Sequence, residues 1–302
     1  MSLQSIIQQK ERRLERIPGN LISASQRAQQ SAFTRALNLI GQIDRNPDGT
    51  IRNTVANLDR VNDIVSDMED QLFGAGYADA VAEFVEEFPR EAQLTRDQFR
   101  ETFGDFDNRE FYRRMVRSSQ ERALADLGAD VVAAQFGNAV RGFMDDSVST
   151  RSSWEKMVVG LREIAEGSEE REGVLQRHVK RVARDTFNVS DRNLADQIAE
   201  DLNAHYFQYA GGTVGDTREF CTERNGRFFH REEMKAWGRG EATQSLEWPQ
   251  SGTWQGRTSG TNEGTIFSYM GGYNCMHFPV WVDRRMVPDE VRVYARSQGW
   301  PD

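Results

Sequence analysis

IRNTVANLDRVNDIVSDMEDQL, residues 51–72, decides the architecture of this chain. Its apolar positions are Ile51, Val55, Leu58, Val61, Val65, Met68 and Leu72. Steps of three and four, sustained over about six turns, predict an amphipathic helix with one apolar stripe. Such a stripe is read first as bundle core; a coiled-coil seam for a partner is the other use of the same pattern.

The same period extends in both directions. Toward the N-terminus, Ile6, Ile7, Leu14 and Ile17 recur at helical spacing, and Pro18-Gly19 is expected to break that run. Leu21, Ile22, Ala28, Phe33, Leu37 and Ile40 form a second amphipathic run, closed by the turn residues Asn46-Pro47-Asp48-Gly49. Toward the C-terminus, Gly74-Ala75-Gly76 punctuates, and a helix through Ala80, Val81, Phe84 and Val85 is expected to stop at Pro89. Thr95 with Gln98 resembles a capping box, and helices are expected near 95–104, 108–127 and 129–145. The last is rich in small residues, which lets helices approach closely. Ser153-Trp154-Glu155 opens a further helix with Met157, Val158, Leu161 and Ile164. A basic run follows, with Arg177, His178, Lys180, Arg181 and Arg184, and reads as a solvated face rather than a nucleic-acid contact. Ser190 is expected to cap a helix that carries Leu194, Ile198 and Leu202 to His205-Tyr206-Phe207, with Gly211-Gly212 ending it.

After Gly212 the composition changes. Gly, Thr, Trp and Tyr become frequent, and long helical periodicity disappears. A short helix is expected near 230–238, extended segments at 265–269 and 279–282, a long loop over 239–262, and a polar tail with a helix at 289–297. The predicted fold is therefore mainly α. A helical bundle or extended helical region (1–210, with a sub-boundary near 146–151) precedes a small, loop-rich α+β module (211–302).

The totals bound the function. At 302 residues, 38% hydrophobic and 28% charged, the chain fits one or two polar globular domains. No apolar run approaches the length of a membrane span, and the first residues lack the apolar core of a secretory signal. A formal charge of −9 opposes broad coating of nucleic acid. Two cysteines do not make a disulfide framework and suit a reducing cytosol.

Chemistry-bearing residues cluster between Gly215 and Val282. Both cysteines lie there, Cys221 and Cys275, with His230 and His277 and four of the six tryptophans. Cys275 and His277 form a Cys-x-His pair. With Cys221 and either His230 or Asp216 they would make a four-ligand zinc set, although the spacing matches no finger and no Cys-x-x-Cys knuckle exists. The alternatives are a Cys221–Cys275 disulfide and two packed thiols beside a hydrogen-bonded His277. Asp216 and Arg218 suit a turn held by capping and ion pairing. Gly271-Gly272 reads as a tight turn that delivers the Cys-x-His pair to Cys221. A Cys221/His277 nucleophile is conceivable, but no oxyanion-hole turn or phosphate-binding glycine loop accompanies it, so no catalytic residue is expected.

Taken together, Asp216-x-Arg218-x-x-Cys221, the Asn225-Gly226 turn with Phe228 and Phe229, the Glu232-Glu233…Trp237 helix, and Gly271-Gly272-Tyr273-Asn274-Cys275-x-His277 resemble the C-terminal module of phage minor head proteins, the Mu F-like or phage head morphogenesis family. The likeness spans about residues 184–282. Family members usually close on Pro-x-His-x-x-Cys-Arg-Cys; here Cys275 precedes His277 and the final Cys-x-Cys is missing. The resemblance implies a structural virion protein assembled in the host bacterial cytoplasm. It implies portal, capsid or neck proteins as partners, several copies per particle, contact with packaged DNA and no membrane. Another virion component (neck, cement or ejected protein) and a metal-dependent hydrolase or nuclease are the competing expectations.

Overall fold

The computed structural model describes residues 2–107, 110–213, 215, 217–245 and 248–302. The chain is 67% helical, with a small antiparallel sheet near its C-terminus, so it is mainly α. The long helices are α1 (Leu3–Ile40), α2 (Val55–Leu72), α3 (Ala78–Phe103), α4 (Glu110–Leu127), α5 (Ala129–Ser149), α6 (Trp154–Ala165) and α7 (Val174–Asp201). Then follow β1 (Tyr206–Ala210), α8 (Glu219–Arg224), β2 (Phe228–His230), α9 (Arg231–Gly238), β3 (Thr243–Ser245), β4 (Trp248–Gln250), α10 (Ile266–Tyr269), β5 (Phe278–Val282) and α11 (Asp289–Ser297).

The chain divides into two compact units, and each is built from separated segments. One comprises residues 1–16, 86–121 and 184–302; the other comprises 17–85 and 122–183. This differs from the division near 210 that composition suggests. The expected sub-boundary near 146–151 falls inside one unit, at the turn between α5 and α6. Composition changes where the sheet starts, whereas compactness follows packing, and residues of α7 from Arg184 onward pack with the sheet-bearing segment.

In the unit of residues 17–85 and 122–183, α2 packs on α5 and α5 on α6. Val61, Val65 and Met68 of α2, Val132, Phe136 and Val140 of α5, and Met157 and Leu161 of α6 are all buried. The stripe that opens the sequence reading is core from Val61 to Leu72, whereas Val55 in the first turn is exposed, Leu58 is half-buried, and Ile51, though buried, precedes the helix that Thr54 caps. Close approach of α5 and α6 uses Gly160, where a β-carbon would overlap the Phe143 ring of α5. Thr54 and Ser153 cap α2 and α6, accepting from the amides of Asn57 and Lys156. Between α2 and α3 a π-helical turn spans Phe73–Tyr77, and Gly76 there takes φ +84°, a conformation open to glycine.

Several expected breaks are absent. Pro18 lies inside α1 and Pro89 inside α3. An interior proline costs about 3 kcal/mol, and burial of a few large side chains on the same face outweighs it. Leu14, Ile17 and Leu21 flank Pro18, and Phe84, Phe88 and Ala92 flank Pro89, all buried. Thr95 is not a cap: it is buried inside α3, where its hydroxyl donates to Asp191 at 2.6 Å and accepts from Lys10 at 3.2 Å. Ser190 is likewise internal to α7.

The unit of residues 1–16, 86–121 and 184–302 is organised by a three-stranded antiparallel sheet in the order β2-β1-β5. Tyr206 and Phe207, read from sequence as the end of a helix, open the central strand β1 instead. Their register places Tyr206 opposite His230 and Val282, and Phe207 opposite Phe229 and Trp281. One sheet face carries Phe207, Tyr209 and Trp281; Phe267 of α10, Phe220 of α8 and His277 pack against it. The other face carries Tyr206 and His230, against which Trp300 stacks. Residues 266–269 form a helical turn rather than a strand, and 278–282, 231–238 and 289–297 match the expected elements. The long loop includes a small hairpin of β3 and β4.

Candidate metal centre

Cys221 lies on α8, while Cys275 and His277 lie on the turn that leads into β5. Two left-handed residues make that turn, Gly272 at φ +97° and Asn274 at φ +55°. Gly271 has no room for a side chain: a β-carbon there would overlap the Cys221 sulfur and lie 3.0 Å from the Cys275 sulfur. The glycine pair thus delivers Cys275 and His277 to Cys221, as the sequence suggests. The two sulfurs are 3.9 Å apart, and Cys275 Sγ is 3.8 Å from His277 Nδ1. One ligand-type atom from each residue falls within a common 4.8 Å, and all three side chains are buried.

Residues that the sequence reading missed hold this knot in place. Tyr209 of β1 donates its hydroxyl to Cys221 Sγ at 3.4 Å, and its ring packs 5.2 Å from the His277 ring. Arg192 of α7 donates to the carbonyls of His277 (2.8 Å), Ser268 (3.0 Å) and Cys275. Asn188 adds a bond to the Cys275 carbonyl at 3.0 Å, and the Asp185 carboxylate accepts from the Asn274 amide at 2.9 Å. Asp185, Asn188 and Arg192 are spaced three and four apart, which puts them on one helix face. That polar stripe within an apolar helical pattern was the available signal. Arg218 donates to the carbonyls of Tyr273 (2.7 Å) and Gly271 (3.4 Å), fastening the start of α8 to the same turn.

The two thiols do not share one electrostatic environment. The hydrogen bond from Cys221 pulls the Cys275 thiol well below its ordinary range, and the nearby Arg192 guanidinium and His277 act in the same direction. That same bond, together with burial, pushes the Cys221 thiol up. Burial drives Tyr209 well above the usual phenol value.

His230, the other proposed ligand, is committed elsewhere. It caps α9, with Nδ1 accepting from the Glu232 amide at 3.1 Å, while Nε2 meets the Pro301 carbonyl at 2.8 Å. It is not part of the Cys221–Cys275–His277 group. The physical reason is register: pairing with Tyr206 turns its ring onto the opposite sheet face from Tyr209. Asp216 lies outside the described residues. Gly226 takes φ +80° in the Asn225-Gly226 turn, and its amide donates to the Tyr209 carbonyl at 2.7 Å.

Chemically, two thiols and an imidazole at this spacing can ligate a soft metal ion, or remain as hydrogen-bonded thiols. A disulfide requires the sulfurs to close from 3.9 Å to about 2.05 Å. A cleft of about 660 Å³ lies away from the thiols, lined by Ala236, Arg239, Glu241, Tyr294 and Trp300 among others. No described helix is long and apolar enough to cross a membrane. Comparison with family models, curated proteins and solved structures returns no match.

Proposed function

We propose that this chain is a structural component of a phage virion, a minor head protein placed near the portal and acting in head morphogenesis or genome delivery. One observation carries the reading. The separated pieces of the motif that resembles minor head proteins, Arg218 to Cys221 and Gly271 to His277, meet at one buried point and brace each other. Contact between the separated pieces supports reading the motif as one module rather than a chance string. The acidic balance of the chain also suits a protein that works beside packaged DNA without adhering to it. Portal, capsid or neck subunits are the partners in this reading, and the protein is present in several copies.

The test is biochemical. Particles purified from the phage that encodes this chain are expected to retain it through density-gradient sedimentation, and cross-linking is expected to join it to the portal. Finished heads that lack the protein, although it is expressed in the infected cell, would sink the proposal. A chain recovered from particles but cross-linked only to tail-proximal subunits would move it to the neck.

A further inference from the structure

We propose that Cys221, Cys275 and His277 hold a zinc ion, with the Tyr209 hydroxyl at the fourth corner of the tetrahedron. The inference uses only the geometry of these four side chains and does not depend on where the chain acts. Zinc bonds thiolate sulfur at about 2.3 Å and imidazole nitrogen at about 2.0–2.1 Å. A regular tetrahedron with those bond lengths has a sulfur–sulfur edge of about 3.8 Å and a sulfur–nitrogen edge of about 3.6 Å. An oxygen at a bond length of about 2.0 Å adds a sulfur–oxygen edge of about 3.5 Å. The observed separations are 3.9 Å between the sulfurs, 3.8 Å from Cys275 Sγ to His277 Nδ1, and 3.4 Å from Tyr209 Oη to Cys221 Sγ. These three of the six edges fall within a few tenths of an ångström of their tetrahedral values, and the Cys221–His277 edge lies within 4.8 Å, so closing the set on an ion asks for a shift of about an ångström at most.

Three further features suit the ion. No other hydrogen bond competes for the ligating atom of His277: Nδ1 has the Cys275 sulfur as its polar neighbour. His230 is the contrast, since both of its ring nitrogens are bonded. Two thiolates and a neutral imidazole cancel the charge of zinc, so the buried set of Cys221, Cys275 and His277 carries no net charge. The backbone that bears two of the ligands is held from outside by Arg192 and Asn188, which donate to the carbonyls of Cys275 and His277. Outer support of this kind is what fixes ligand orientation in structural metal sites.

The protein would be purified without chelator and its metal content measured by elemental analysis, with thiol titration and intact mass in parallel. One zinc per chain is expected, with both thiols protected in the native protein and reactive once the metal is removed. Replacement by cobalt(II) is expected to give sulfur-to-metal charge-transfer absorption and the visible bands of a tetrahedral centre. Cys275→Ser should abolish much of the charge-transfer signal; should that variant not fold, the wild-type measurements decide alone. Tyr209→Phe is expected to weaken zinc binding roughly tenfold or more, and unchanged affinity would overturn its placement at the fourth corner. Chains that stay metal-free after exposure to zinc, with both thiols freely titratable, would overturn the whole proposal. So would an intact mass short of two hydrogens, the mark of a Cys221–Cys275 disulfide.

Discussion

His230 makes two hydrogen bonds that only one neutral tautomer can satisfy together. Its Nε2–H donates to the Pro301 carbonyl, while the bare Nδ1 accepts from the Glu232 amide. Burial is the main cause that lowers its pKa from 6.5 to about 4, with the His205 ring stacked 5.7 Å away acting in the same direction. Below pH 6.5 the unfolded chain takes up a proton that the folded chain refuses. Stability from this residue is therefore full above that pH, falls as the pH drops, and stops falling near pH 4, by about 3 kcal/mol in all. Glu91 and Asp196 oppose the trend. Burial raises them to about 7 and about 6, so their contribution is present at low pH and lost as pH rises through those values. The clean readout is a difference between proteins. His230→Asn keeps a capping side chain, and urea denaturation from pH 4 to 7 should show a shallower acid-side loss than the wild type. Parallel curves would remove His230 from the explanation. Sequence alone leaves His230 open as the fourth ligand, in place of Asp216, beside Cys221, Cys275 and His277, because strand register, which turns His230 onto the opposite face, involves residues far apart in the chain.

At the scale of elements, α7 is a brace for the Cys-x-His turn. Arg192 is buried, and its guanidinium satisfies the carbonyls of Ser268, Cys275 and His277. Removing a charged donor that serves buried acceptors leaves those acceptors without partners, so Arg192→Met should cost roughly 2–4 kcal/mol. Surface arginines on the same helix offer a control: Arg181 is exposed, and Arg181→Met should change stability by less than about 0.5 kcal/mol. Equal effects in chemical denaturation would refute the bracing role. The element boundaries show how much local pattern can reveal. The stripe of α2, the Ser153 cap and the helices at 231–238 and 289–297 follow from spacing and capping, which act within a turn or two. Continuity through Pro18 and Pro89 does not, because the burial that outweighs a proline is supplied by residues distant in sequence.

For the whole molecule, two compact units built from interleaved segments mean that a perturbation at the Cys/His knot has a defined footprint. Metal removal by chelator should raise amide hydrogen exchange in residues 184–302 and 86–121, and leave the protection of 55–72 and 129–149 unchanged. Uniform loss of protection across all these segments would contradict a footprint confined to one unit. The mainly helical class, the place of the chemistry and the motif that resembles minor head proteins were determined by the sequence itself, because helical periodicity, capping and short-range turns are local codes. The tertiary structure alone decided that Tyr209, Arg192 and Asn188 belong to the knot, that His230 does not, and that the chain divides other than at its change of composition. Those outcomes depend on strand register and on side chains brought together across about 90 residues of chain, as from Arg192 to His277, 85 positions apart. No local pattern encodes such distances; only the burial of the assembled core selects them.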